Sequence, residues 1–200
     1  MINDLNEALR ILKDYKKILI SGPQRSGTTI ASKIFAKRLS LICIDEFEIK
    51  CGNEKLFHEL IDSKENFVLQ CPDMSHCLHK IGHRNDIFIV FMMRNVYDII
   101  CSENRINWNW GEKIKIKYEK EFNIITKNVP ISVIRQHVWK KYQKNQVKNK
   151  IELRYECLKD DDLWIDKELR KNFSSKQTFI GQKRPQRRPQ RRNKSGFKNI

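Results

Sequence analysis

The sequence predicts an α/β protein built in three layers, with a central, mainly parallel five-stranded sheet flanked by helices. Three observations lead there. Short apolar runs alternate with stretches of helical periodicity along the chain. The strongest run, Ile87 to Met93, is apolar throughout, as a strand buried on both faces of a parallel sheet must be. The first run ends in a glycine-bounded loop, Ser21-Gly22-Pro23-Gln24-Arg25-Ser26-Gly27-Thr28-Thr29, which opens a helix.

The elements follow in order. Leu5, Ala8, Leu9 and Leu12 recur at helical spacing, predicting a helix within 3–16. Ile18 to Ile20 is a short buried strand. From Thr28 the pattern turns helical, with Ile30, Ile34, Phe35 and Leu39 on one side. Leu41 to Ile44 is a second strand, Lys55 to Ser63 a helix, and Phe67 to Cys71 a third strand stopped by Pro72. The fourth strand is Ile87 to Met93. Helices are expected over Val96 to Ile106, 112–126 and 131–147. A fifth strand, Ile151 to Tyr155, precedes a last helix from Asp162 to Asn172.

Two hundred residues suit one domain, placed over 1–180. The rest, 181–200, carries eight basic residues, no acidic one, and a repeated Arg-Pro-Gln-Arg. Such a segment cannot pack a core and is expected to be extended or disordered, either simply solvated or in weak contact with nucleic acid or another anionic surface. Removing its eight charges from the net +16 leaves +8 on the first 180 residues, a balance suited to an anionic ligand. The six cysteines lie mostly in or beside apolar runs, which points to reduced thiols and a cytoplasmic setting. No apolar run approaches membrane-spanning length, so no membrane partner is expected.

The loop carries the chemistry. Gly22 and Gly27 bracket four residues between a strand and a helix. Glycines let the backbone turn tightly and approach a phosphate closely. Successive backbone N–H groups and the helix N-terminus then favour negative charge. Nucleotide-triphosphate loops of this kind place a Lys after the second glycine. Here Thr28 stands in that place and the cation comes earlier, at Arg25.

A loop of the form Pro-x-Arg-Ser-Gly-Thr-Thr resembles that of the sulfotransferase family, which has a P-loop fold. A second segment extends the likeness. Met93-Arg94-Asn95-Val96-Tyr97-Asp98, followed by Ser102, is similar to the family's Arg-Asn-Pro-x-Asp and downstream Ser, with Val96 in place of Pro. Ile151 to Leu158 resembles the family's Tyr-Glu-Asp-Leu segment, with Cys157 where Asp is usual. The resemblance spans roughly 17–180. It implies that 3′-phosphoadenosine-5′-phosphosulfate (PAPS) is the co-substrate. Gly22, Pro23, Gln24, Arg25, Ser26, Gly27, Thr28 and Thr29 would hold its 5′ end, and Arg94 and Ser102 its 3′-phosphate. The implied reaction is sulfuryl transfer to a hydroxyl or amine of a small-molecule, saccharide or protein acceptor.

Such transfer needs a base for the acceptor proton and cations for the donor's charge. Arg25 suits the second role. For the base, Glu46 and then Asp45 are the candidates, because they follow the second strand directly, where some relatives carry a Glu. Asp45-Glu46 after four apolar residues also resembles a Mg²⁺-holding strand end, which would make the protein a P-loop kinase or NTPase. A nucleotide-binding module without activity, tethered through its tail, is the third reading. His76, His79 and His83 with Cys71 and Cys77 lack zinc-ligand spacing, so no metal site is expected. Trp108, Trp110, Trp139 and Tyr142 either line an acceptor pocket or anchor helix packing.

Overall fold

The computed structural model describes residues 1–105 and 111–165. The elements run α1 (Leu5–Leu12), β1 (Lys17–Ser21), α2 (Thr28–Leu39), β2 (Ile42–Ile44), α3 (Glu54–Asp62), β3 (Phe67–Gln70), α4 (Leu78–Ile81), β4 (Ile87–Met93), α5 (Val96–Arg105), α6 (Gly111–Phe122), α7 (Ile131–Val138), β5 (Lys150–Arg154) and α8 (Asp162–Ile165). The five strands form one sheet in the order β2-β3-β1-β4-β5, with every pairing parallel. The predicted fold class is the observed one.

Side-chain alternation builds two cores from the same strands. Ile18, Ile20, Val90, Met92 and Leu153 face the layer holding α1, α2 and α8. Leu19, Leu69, Ile89, Phe91 and Met93 face the layer holding α3, α4 and the end of α7. Apolar residues on both faces explain why these strands read as continuous apolar runs. No helix among the described residues is long and apolar enough to cross a membrane. All six cysteines are free thiols, with Cys43, Cys71 and Cys77 buried.

Helix lengths differ from the periodicity in three places. The first helix occupies only Leu5–Leu12, with Asp4 capping it by accepting from the Asn6 N–H. The helix expected over 112–126 stops at Phe122. The helix expected over 131–147 is α7 only to Val138, continuing as a π-turn (Trp139–Gln143) and a tight 3-10 turn (Lys144–Gln146). In the widened turn Trp139 stacks flat on Phe91, ring centroids 4.4 Å apart. Its indole N–H donates to Glu152 at 3.0 Å. Trp139 is thus a core anchor, and Tyr142 packs with Phe122 in a separate cluster between α6 and α7. Trp108, Trp110, the residues of the last helix beyond Ile165 and the 181–200 tail lie outside the described residues.

Candidate functional site

All five strands point the same way, so their C-terminal ends share one edge. In open α/β sheets that edge is where ligands bind. The glycine loop leaves β1 there, Asp45 and Glu46 follow β2, Asp73 follows β3, Arg94 follows β4 and Tyr155 follows β5. Residues more than a hundred positions apart therefore meet.

The loop is shaped by two glycines. Gly22 has φ +137° and lies so close to β4 that a Cβ there would stand 2.7 Å from the Met92 carbonyl oxygen. Gly27 has φ +91°, and a Cβ there would overlap the Tyr155 ring. Arg25, between them, also has positive φ, a conformation that costs a non-glycine residue about 1–3 kcal/mol. Replacing Gly27 with Ala is expected to destabilise the protein by a similar ~1–3 kcal/mol, because the backbone is strained and an aromatic ring must move. A denaturant midpoint unchanged by Gly27→Ala would show that the loop is not held as described.

Inside the loop, Ser26 is buried and its hydroxyl donates to the Pro23 carbonyl at 2.7 Å. Thr28 is buried and accepts from the Gln70 amide at 3.3 Å. Of the loop hydroxyls expected to face a ligand, these two turn inward, and Thr29 is exposed on the first turn of α2.

Arg25 is exposed, and its Nε donates to the buried Ser102 hydroxyl on α5 at 3.1 Å. Arg94 donates from NH1 to the Arg25 carbonyl at 2.9 Å. Its guanidinium also lies over the Tyr155 ring, 4.2 Å from the centroid, in a cation–π contact. Arg94 is held from behind as well, since its carbonyl accepts from the Gln136 amide on α7 at 3.0 Å. Thus the sequence-predicted residues Arg25, Arg94 and Ser102 form one cluster, braced by Tyr155 and Gln136, which sequence reasoning did not single out.

On the other side of the loop lies an acidic group. Gln24 donates to Asp73 at 2.9 Å, and the fully buried Arg135 of α7 donates to the same Asp73 oxygen at 3.2 Å. Glu46 is buried beside them. Desolvation, with repulsion from Asp73 and Asp45, pushes its carboxyl up to about 8, against the pull of Arg135 and the Gln24 amide. Glu103, next to Ser102, is buried too, and desolvation raises it despite Arg135 and Arg25. Asp45 is half-buried and accepts from the Phe47 N–H in a local turn. Glu46, not Asp45, is therefore the carboxylate tied to the loop.

His76 is buried between Glu54, at 3.0 Å, and the Asp73 carbonyl, at 3.1 Å, which makes it a packing residue. Among the described residues no group of three or more His, Cys, Asp or Glu side chains is arranged to hold a metal ion. A separate cavity of about 580 Å³ beside Asp4, Arg38, Arg154 and Asp161 includes none of the loop residues.

Comparison with protein-family models, with curated proteins and with solved structures finds no match to this chain. What fold and site define is an α/β protein with a glycine-bounded loop, two arginines and a buried carboxyl at the C-terminal edge of its parallel sheet.

Proposed function

We propose that this protein is a PAPS-dependent sulfotransferase acting on a hydroxyl or amine acceptor. The observation that carries the reading is the contact between Arg25 and Ser102. It brings the loop segment and the segment after β4 into one basic cluster, as a donor with phosphates at both its 5′ and 3′ ends requires. The residues suit such a donor: two glycines at positive φ let an anion approach the backbone, and the Arg94 guanidinium is held against the loop at the Arg25 carbonyl.

In the proposed reaction Arg25 faces the charge at the donor's phosphosulfate end. The acceptor oxygen or nitrogen forms a bond to sulfur as the sulfur–oxygen bond to the 5′-phosphate breaks. The electron pair leaves on adenosine 3′,5′-bisphosphate, and the acceptor proton passes to the Glu46 carboxylate. A carboxyl raised to about 8 is a stronger base than an ordinary glutamate once ionised, so the rate is expected to rise with pH toward 8.

One observation favours a kinase or NTPase instead: a carboxylate, Asp73, follows β3 and touches the loop residue Gln24. In a Mg²⁺-dependent site that carboxylate would face the metal. Here it faces the Arg135 guanidinium, a cation already in place, and the loop lacks Lys after Gly27.

The discriminating measurement is thermal shift. At a hundredfold excess over Kd, a ligand adds about 2.7 kcal/mol to folding stability. PAPS or adenosine 3′,5′-bisphosphate is expected to raise the melting temperature by several degrees, and ATP with Mg²⁺ far less. The reverse order would favour the kinase. In the same assay Arg94→Ala is expected to weaken adenosine 3′,5′-bisphosphate more than adenosine 5′-phosphate.

A further inference from the structure

Arg135 is a charged residue in a place that normally takes an apolar one. It lies on the inward face of α7 with Ile131, Ile134 and Val138 and is fully buried. Burying a guanidinium costs several kcal/mol unless its donors are well paired. Arg135 is only partly paired: Nη2 donates to Asp73 and the Tyr118 hydroxyl lies beside the guanidinium, while Nε and Nη1 make no hydrogen bond among the described residues. Packing stability does not explain such a residue, because an aliphatic side chain would fill the position without a desolvation cost.

Its contacts lead to the loop. Asp73 Oδ1 accepts from both Arg135 and Gln24. Glu46 is buried beside Gln24, whose amide favours its carboxylate form. Hydrogen bonds thus join three separate segments, α7, the turn after β3 and the glycine loop, and the buried Glu46 of the turn after β2 lies beside the last of them. Glu46 Oε2 is buried there without a hydrogen-bond partner among the described residues.

We propose that Arg135 is a positioning residue: through Asp73 and Gln24 it fixes the Glu46 carboxyl against the glycine loop. This rests on the reading of Glu46 as the base. Arg135 orients Asp73, and Asp73 oriented in this way holds the Gln24 amide beside Glu46. The titratable and charged groups facing Glu46 are Asp45 and Cys51 on its own segment, Asp73 and Cys71 after β3, and Arg135 on α7. Among these described residues, Arg135 is the cation that acts on Glu46.

The test is the titration of the Glu46 carboxyl, followed by carbon-detected NMR on the full chain. Arg135→Met and Gln24→Leu are each expected to move the Glu46 midpoint upward by about one unit, since each removes a group that favours the carboxylate. Asp73→Asn is expected to move it down, by removing a like charge. Arg135→Lys should restore most of the Arg135→Met shift. Should Arg135→Met fail to fold, Gln24→Leu, a half-buried loop change, reads the same link. A Glu46 midpoint unmoved by Gln24→Leu overturns the proposal. Binding of adenosine 3′,5′-bisphosphate to the unaltered protein is measured alongside. Its absence would overturn the sulfotransferase reading, whereas the titration judges the Arg135 chain separately.

Discussion

Truncating Trp139 to Ala is expected to destabilise the protein by about 3–5 kcal/mol, the range for removing a large buried aromatic. Trp139 is fully buried, stacks on Phe91 in the middle of β4, and donates to Glu152 of β5. Its loss leaves a cavity against two strands and takes one hydrogen bond from a buried carboxylate that Lys144 also contacts at 3.0 Å. Domains of this size are stable by only about 5–15 kcal/mol, so the variant would keep a thin margin. The site feels the change as well. Trp139 ends the helix that carries Arg135 and Gln136, one turn or less away, and Gln136 holds the Arg94 carbonyl. Guanidinium denaturation measures the effect, and a loss below about 1 kcal/mol would mean that the stack is not an anchor of this sheet.

Much of the fold is legible in the sequence because parallel strands announce themselves. A strand covered on both faces must be apolar at successive positions, and Ile18–Ile20, Phe67–Leu69 and Ile87–Met93 are. The glycine loop is legible for a related reason, since only glycine tolerates the φ values at positions 22 and 27 without strain. Helix ends are less legible. The π-turn at Trp139 answers to Phe91 and Glu152, residues far away in sequence, and no local pattern encodes it.

The site divides along the same line. Arg25, Arg94 and Ser102 are visible in the sequence as candidates, but the contacts among them depend on how β1 and β4 pair. Asp73, Glu103, Tyr155 and Arg135 were not picked out as site residues. For Arg135 a signal existed: it occupies an apolar-face position among Ile131, Ile134 and Val138, and a charge there is unusual. For Asp73 the signal was its position just past the end of β3. Nothing in the sequence separates Glu46 from Asp45, because burial decides between them.

That burial has a measurable consequence in the pH dependence of stability. Glu46 is shifted from an ordinary 4.5 to about 8 in the folded protein. A carboxyl with a raised folded value contributes stability that is fully present below its unfolded value and is lost as pH rises through the folded one. Over the window from about 4.5 to 8, the folded chain keeps a proton that the unfolded chain releases. The whole shift corresponds to a loss on the order of 5 kcal/mol. Glu46→Gln removes the ionisation and keeps the shape. Its melting temperature, compared with that of the unaltered protein, is therefore expected to gain steadily between pH 5 and about pH 8 and then level off. Other groups titrate in both proteins and cancel in the difference, His76 among them. A difference that stays constant across that range would mean that Glu46 ionises normally, and would remove it as the base. A rising difference together with a rate that follows ionisation of the same group would tie one carboxyl to both effects: its burial weakens the fold as pH rises toward 8 and makes it a stronger base that is ionised only toward and above that pH.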